Sequence, residues 1–174
     1  MKQTMKAMKV FLLGLAVLFS VQVMAQSGDE VVKVGDAVPA FTVQMADGTT
    51  VHIGDLKGKV VLINFWATWC PPCRAEFKRI PAEIVEAFQG QDFVLLAISR
   101  EEPLETVTGF MKENGYTFPV GIDPDRAIFA KFALNSIPRN YLVDKQGKIA
   151  AVEVGYAEHQ FNELIGKIKA ELAK

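Results

Sequence analysis

The fold is decided by residues 60–77, which read VVLINFWATWCPPCRAEF. The first half of this stretch is a nearly continuous apolar run, which is typical of a strand buried on both faces of a sheet. Two prolines then open a helical pattern that continues to about Gly90, and Pro81 should kink this helix. Both cysteines of the chain, Cys70 and Cys73, therefore fall where the predicted strand gives way to the predicted helix.

The position of this pair favours redox chemistry. A helix N-terminus presents unpaired N–H groups and a partial positive charge, and both stabilise an anion such as a thiolate. Cys70 is therefore predicted to be the exposed nucleophile, and Cys73 lies on the same helix face, within reach of its sulfur. Pro71 and Pro72 suit the first turn, because N–H groups there have no partner within the helix. As a structural cross-link the pair would contribute little, since a loop of about four residues gives roughly 2 kcal/mol in the chain-entropy model.

Three other uses of the cysteines fit the sequence less well. Zinc would need two further ligands, and the two histidines, His52 and His159, match no zinc-finger spacing. Covalent haem attachment needs a histidine directly after the second cysteine, where Arg74 stands. A purely structural disulfide stays open as an alternative. We therefore predict neither a metal nor an organic cofactor.

The first 25 residues have the pattern of a secretory signal peptide. Three lysines precede an apolar run from Val10 to about Val23, and Ala25 offers a small residue at the cleavage site. The run is shorter than the roughly 20 residues of a membrane-spanning helix, so a membrane tether through an uncleaved signal is the weaker alternative. This predicts an exported, periplasmic protein. The expected divisions are a signal peptide over 1–25, a flexible leader over 26–36 and one domain over 37–174.

The charge of the chain argues against nucleic acid as a partner. There are 19 Lys and Arg against 20 Asp and Glu, for a formal net charge of −1. Cleavage of the signal peptide would remove its three lysines and make the net charge of the remaining chain more negative. Nucleic-acid phosphates select for basic patches, and the sequence has no basic run.

Strand and helix patterns alternate along the rest of the chain. Apolar and polar residues alternate from Ala40 to Gly58 around a turn at 46–48, which predicts a β-hairpin, and residues 93–98 repeat the buried-strand pattern. The later predicted elements are a helix over 103–114, a short strand over 118–122, a helix from Asp123 to about Phe132, a hairpin over 140–144 and 148–154, and a final amphipathic helix. This order predicts an α/β fold with a mainly parallel centre and an antiparallel hairpin at one edge.

These motifs resemble the thioredoxin-like superfamily, and within it the extracytoplasmic TlpA/ResA-type disulfide reductases. The likeness lies in FWATWCPPCRAE (residues 65–76), in SIPRNYLVD (residues 136–144), in the signal peptide and in the N-terminal hairpin. The resemblance implies a thioredoxin-like fold, with a central mixed sheet flanked by helices, an N-terminal β-hairpin and an inserted strand–helix unit. It also implies that the Ile137–Pro138 peptide bond is cis and faces the Cys70 sulfur.

The resemblance further implies a function. The protein would reduce disulfides of exported partner proteins, with apocytochrome c as one candidate, and would itself be reduced by a membrane electron donor of thiol–disulfide type. Cys70 would attack the partner disulfide and Cys73 would resolve the mixed disulfide. The predicted partner-binding residues are Trp69, Pro71, Pro72, Ile137 and Pro138. An oxidase or isomerase using the same cysteines, or a binding module with an inert disulfide, stays open because sequence does not fix the reduction potential.

Several positions depart from the pattern of the resembled family. Arg139 and Asn140 stand where many relatives carry small hydroxyl residues, which leaves substrate preference open. Asn64 stands where cytoplasmic thioredoxins keep a buried acid, so the proton acceptor for Cys73 must come from elsewhere. Glu76 is the candidate catalytic acid and base, since it lies one turn after Cys73 and the resembled reductases place an acid at this motif position. The alternative for Glu76 is a solvated surface carboxylate.

Overall fold

The computed structural model describes residues 28–174. The strands are β1 (Thr42–Met45), β2 (Thr50–His52), β3 (Val60–Trp66), β4 (Phe93–Arg100), β5 (Val120–Asp123), β6 (Arg139–Val143) and β7 (Ile149–Val154). The helices are α1 (Pro71–Phe77), α2 (Leu104–Glu113) and α3 (Glu158–Leu172), with a π-helical turn at Pro81–Glu86 and 3₁₀ turns at Ile53–Leu56 and Phe129–Lys131. The strands form one sheet in the order β2-β1-β5-β4-β3-β6-β7.

Strand β3 lies in the interior of the sheet, between β4 and β6, and all of its residues are buried. It pairs in parallel with β4 and antiparallel with β6, so the sheet is mixed. The three α-helices pack on one face through an apolar cluster that includes Phe77, Val107 and Leu164. The other face is covered by the turn around Phe129 and by N-terminal residues such as Val32. This is the predicted thioredoxin-like α/β fold, with α2 and β5 as the inserted strand–helix unit.

The helix predicted directly after the cysteines is interrupted, as its proline indicates. α1 ends at Phe77, and the π-helical turn begins at Pro81, which has no N–H to continue the hydrogen-bonding pattern.

Among the helices of residues 28–174, none is long and apolar enough to cross a membrane.

The helix predicted from Asp123 to Phe132 is wrong. β5 ends at Asp123, and only the short turn at Phe129–Lys131 follows. The Asp123 carboxylate accepts hydrogen bonds from the backbone N–H groups of Ile128 and Phe129, at 3.0 and 2.8 Å, instead of capping a helix that starts at the next residue. Arg126 adopts a φ of 64°, which interrupts a right-handed helix.

Residues 28–36, expected to be part of a flexible leader, are instead docked on the domain. Glu30 forms an isolated β-bridge with Ala133, the N–H of Val31 donates to the carbonyl oxygen of Phe132 at 3.0 Å, and Val32 is buried. The sequence does not predict this docking, because the segment has a polar composition and the residues that it contacts are distant in sequence. We call residues 28–36 the N-terminal strap. The predicted signal peptide and the start of the leader lie outside the described residues.

The end of α3 lies far from the cysteines. β3 ends next to them, and its antiparallel partner β6 runs the opposite way, to the turn at residues 144–148. In that turn the Lys145 ammonium group donates to the carbonyl oxygen of Leu172 at 3.0 Å. The C-terminal residues therefore belong to the end of the sheet opposite the disulfide.

Candidate active site

The two cysteines form a disulfide at the junction of β3 and α1. Their sulfur atoms are 2.08 Å apart, and Cys70 is the N-cap residue of α1. The backbone N–H of Cys73 donates to the Cys70 sulfur at 3.3 Å. Pro71 and Pro72 occupy the first two helical positions and have no N–H to offer. The structure thus confirms that the pair lies at a helix N-terminus.

The Cys70 sulfur is more enclosed than the sequence predicts. Cys70 is only 3% exposed in the disulfide form, and Cys73 is fully buried. The exposed groups are its neighbours: Trp69 is 57% exposed, and Pro71 and Pro72 also face solvent. A partner would therefore meet this apolar rim before it reaches the sulfur.

The loop before β6 closes the site on another side. The Ile137–Pro138 bond is cis, as the resemblance implies, and the carbonyl oxygen of Ile137 lies 3.7 Å from the Cys70 sulfur. A disulfide sulfur has no proton to donate, so this is a close approach rather than a hydrogen bond. Pro138 is buried and Ile137 is half-buried. The two regions, 67 positions apart in sequence, meet because β6 pairs with β3.

Glu76 lies inside the protein, one turn after Cys73 on α1, and is 1% exposed. The side-chain amide of Asn140 donates to its Oε1 at 2.7 Å, and that of Asn64 donates to its Oε2 at 3.2 Å. Burial raises the pKa of Glu76 to about 7, although the two amide hydrogen bonds lower it in part. A carboxyl with this pKa can accept or release a proton near neutral pH.

Two paired asparagines hold that carboxyl group. Asn64 on β3 and Asn140 on β6 are directly opposite each other in the antiparallel ladder, so their side chains emerge on one face of the sheet. The Asn64 amide also donates to Oδ1 of Asn140 at 2.8 Å. Asn140 and its neighbour Arg139 are both buried, on opposite faces of the sheet. Neither side chain contributes to the exposed surface around the disulfide, although they are the two residues after Pro138.

A second buried carboxylate, which sequence analysis does not single out, holds the loop before Cys70. Glu102 accepts hydrogen bonds from the backbone N–H of Thr68 at 2.8 Å and from the hydroxyl of Ser99 at 2.7 Å, and it also bonds the Thr68 hydroxyl. The available signal is its place just after β4, since parallel pairing with β3 brings the ends of both strands to one edge of the sheet.

The two histidines are both exposed. His52 lies on β2, four strands from β3 in the sheet, where its Nδ1 is 2.7 Å from the hydroxyl of Thr42. Within the part of the chain that the structure describes, no group of three or more His, Cys, Asp or Glu side chains is arranged to hold a metal ion.

Comparison with known proteins identifies the family. Residues 33–167 match the Redoxin family model. The thiol-disulfide oxidoreductase ResA of Bacillus subtilis (strain 168) is 33% identical over 144 residues, which cover 82% of this chain and 80% of the relative. A Bacteroides thetaiotaomicron protein, provisionally named a protein disulfide isomerase, has a solution structure that matches with a TM-score of 0.80 and 40% identity, over 84% of this chain and 94% of that one. The thiol:disulfide interchange protein of Chlorobium tepidum TLS matches with a TM-score of 0.68 and 27% identity, over 81% and 98% of the two chains. The chain therefore belongs to the Redoxin family, as a thioredoxin-like thiol–disulfide oxidoreductase related to ResA.

Proposed function

We propose that the protein is exported and reduces disulfide bonds of partner proteins through Cys70 and Cys73. The reducing direction of the reaction is inferred from the small number of N–H donors around the Cys70 sulfur. Within residues 28–174 only the N–H of Cys73 is donated to it, because Pro71 and Pro72 fill the preceding helical positions. Every donor that stabilises the thiolate stabilises the reduced form and makes the pair more oxidising. A thiolate with a single donor therefore favours a reductant.

Glu76 also favours a reducing cysteine pair. Its carboxyl group is buried one turn from Cys73, and in its ionised form it adds a negative charge near the cysteines. Like charges disfavour each other, so this carboxylate destabilises thiolates in the reduced pair. The disulfide form is correspondingly favoured, which again makes the reduced protein a better electron donor.

The reaction begins when the Cys70 thiolate attacks a partner disulfide. A bond forms between the Cys70 sulfur and one partner sulfur, and the other partner sulfur leaves as a thiolate that takes up a proton. Cys73 then gives its thiol proton to Glu76, and its sulfur bonds to Cys70 and displaces the remaining partner sulfur as a thiolate. That thiolate takes up a proton, and Glu76 releases the one that it accepted. Two electrons pass to the partner, and the enzyme is left as the disulfide seen in the structure.

The partner segment is proposed to bind along the loop that precedes β6. The backbone of Ile137 can pair with an extended segment as an added strand, and its carbonyl oxygen, 3.7 Å from the Cys70 sulfur, sets where the partner disulfide would lie. Pro138 holds that backbone in its cis form, and the exposed Trp69, Pro71 and Pro72 would contact the partner's side chains.

Export and electron supply are proposed from the sequence. The signal-peptide pattern of residues 1–25 would send the protein to the periplasm, where an oxidising environment keeps cysteine pairs oxidised. A membrane electron donor of thiol–disulfide type must then return the pair to the dithiol form. Apocytochrome c is one candidate partner. The cysteines carry both electrons, so the reaction requires no metal or organic cofactor.

The reduction potential of the cysteine pair tests the proposed direction. Equilibration in dithiothreitol and glutathione buffers should give a value near about −270 mV, the range of strongly reducing thioredoxins. A value near about −120 mV would identify an oxidase, and one near about −180 mV an isomerase, which the provisional name of the Bacteroides protein makes the second candidate. A disulfide that resists dithiothreitol would indicate a binding module.

Cell fractionation tests the proposed export. The protein should appear in the periplasmic fraction with a new N-terminus at Gln26, because cleavage is expected after Ala25. Recovery of the intact chain from the cytoplasm would exclude export while leaving the cysteine chemistry in place.

A further inference from the structure

The residue after Pro138 is a fully buried cation. Arg139 is 0% exposed, and its Nη1 lies 2.5 Å from Oε1 of Glu30, whose side chain is 13% exposed. No other ion pair in residues 28–174 has a fully buried cation. Burying a guanidinium group is costly unless an anion pairs with it. The stability of this position therefore depends on a residue in the N-terminal strap.

Arg139 in turn fixes the partner-binding loop. Its Nε donates to the backbone carbonyl of Ser136 at 3.2 Å, so the side chain spans the loop from one end to the other. Ser136 has a φ of 65°, a conformation that residues other than glycine rarely adopt and that needs support from its surroundings. The Ile137 carbonyl that approaches Cys70 lies within the span that Arg139 closes.

Glu30 is itself held in place from several directions. The Tyr141 hydroxyl donates to its second carboxylate oxygen at 3.0 Å. On either side of Glu30 the strap is bonded to the chain that leads into the loop: the N–H of Val31 donates to the Phe132 carbonyl at 3.0 Å, and the N–H of Leu134 donates to the Asp29 carbonyl at 2.8 Å. The carboxylate of Glu30 is thus a fixed anchor for the guanidinium of Arg139.

We propose that Glu30 is a positioning residue for disulfide exchange, which acts through Arg139 to hold the Ser136–Pro138 loop where the backbone of Ile137 receives the partner. The proposal rests on the exchange chemistry of Cys70 and not on whether the protein serves as a reductant. Without the carboxylate, Arg139 is a buried cation with no anion, and it draws the loop away from its place beside Cys70 as it seeks water. A protein partner needs this loop, whereas a small disulfide reaches the sulfur without it.

The test compares a protein substrate with a small disulfide. Glu30→Gln removes the charge and keeps the size of the side chain, and Asp29→Asn is the matched control because it removes one charge from the same strap without a contact to Arg139. With dithiothreitol as the electron source, Glu30→Gln should raise the KM for insulin about tenfold or more, since misplacement by about 1 Å can cost up to about 100-fold. Its rate with hydroxyethyl disulfide and its reduction potential should match those of the unmutated protein and of Asp29→Asn.

Two results with Glu30→Gln would overturn the proposal. One is an unchanged KM for insulin in folded Glu30→Gln, and the other is an equal loss with insulin and hydroxyethyl disulfide, which would mean that the ion pair supports the whole fold. If Glu30→Gln does not fold, the double variant Glu30→Leu with Arg139→Met replaces the pair without a buried charge. It should fold and show the same selective rise in KM, because Ser136 has lost its bond to the guanidinium, and an unchanged KM there would also overturn the proposal. Inactivity of the unmutated protein with both substrates would instead count against the proposed function.

Discussion

The two sulfur atoms differ in what surrounds them. Cys70 receives one N–H from α1 and faces the carbonyl oxygen of Ile137, whereas Cys73 is fully buried behind it. An incoming disulfide can approach Cys70 past the exposed rim formed by Trp69 and the two prolines. Cys73 can be reached only from within the protein, by the sulfur of Cys70. The proposed roles, with Cys70 as the nucleophile and Cys73 as the resolving cysteine, agree with this difference in access.

This difference predicts which variant traps a partner. Cys73→Ala should accumulate mixed disulfides with insulin through Cys70, because nothing remains to release them, and non-reducing electrophoresis with mass spectrometry would detect them. Cys70→Ala is the matched control and should give little adduct, since its single thiol is buried. Adducts in Cys70→Ala and none in Cys73→Ala would reverse the two roles.

Local spacing is enough to predict some of these residues and not others. The position of Glu76 near Cys73 follows from the helical repeat, which links residues three apart. Glu102 and Arg139 make their contacts with residues 34 and 109 positions away, respectively. Such contacts depend on strand order and register, which the spacing of residues along the chain does not reveal.

Among the elements, the first turn of α1 controls the electrostatics of the site. The N-cap atom of a helix accepts hydrogen bonds from the second and third helical N–H groups, and in α1 the second position is Pro72. The helix thus presents one donor to the Cys70 sulfur, where a helix without proline at the second position could present two. The reducing character that we propose is a property of this turn more than of the cysteines themselves.

Restoring the missing donor should make the pair more oxidising. Pro72→Ala adds an N–H at the second helical position and should raise the reduction potential by roughly 30–60 mV, as 30 mV corresponds to about 1.4 kcal/mol and a hydrogen bond to a charged group contributes about 1.5–3 kcal/mol. Pro71→Ala is the matched control, because the N–H at the first position does not point at the cap. Equal shifts in both variants would mean that backbone flexibility, and not the donor, sets the potential.

Two glycine substitutions should have opposite effects on stability, because one glycine lies at the crowded contact between β1 and β5 and the other lies in open space on α2. A Cβ at Gly121 on β5 would lie 2.5 Å from Cγ2 of Val43, whereas a Cβ at Gly109 on α2 would meet nothing within 4 Å. Gly121→Ala should therefore lower the free energy of unfolding by about 1–3 kcal/mol, and Gly109→Ala should raise it by about 0.5–1 kcal/mol. Urea unfolding measures both, and stabilisation by Gly121→Ala would show that the contact gives way easily.

The sequence predicted helices and strands correctly where a clear hydrophobic pattern continued over a long segment. It failed where the hydrogen bonds of one side chain changed the course of the backbone. β3 and α3 have unambiguous patterns and appear as expected. The helix expected after Asp123 has equally good capping signals, yet the carboxylate bonds N–H groups several residues later and the chain turns instead. The Asp123 carboxylate could accept hydrogen bonds from the N–H groups of a helix that starts at once or from those several residues later. Tertiary packing decides between the two, and local sequence does not show the outcome.

At the scale of the whole molecule, the buried carboxyl of Glu76 links stability to pH. Its folded-state pKa of about 7 lies above the ordinary value of 4.5, so between these values the folded protein keeps a proton that the unfolded chain has lost. The free energy of unfolding should therefore fall as pH rises from about 4.5 to about 7, by roughly 3 kcal/mol in total, since each pKa unit corresponds to about 1.4 kcal/mol.

Urea unfolding of the oxidised protein across this pH range measures the effect. Glu76→Gln should remove most of the pH dependence, because the amide does not titrate. Glu86→Gln, which changes an exposed carboxyl at the end of the π-helical turn, is the matched control and should keep the slope. An identical slope in Glu76→Gln and the unmutated protein would assign the pH dependence to other groups.

The bond between Lys145 and Leu172 has a practical consequence for handling the protein. It fastens the last helical turn to the end of the sheet that points away from the disulfide. A fluorescent label or a solid support attached at Lys174 would therefore leave the reactive sulfur facing outward. Enzyme immobilised in this way should exchange disulfides with dissolved partners as fast as the free form.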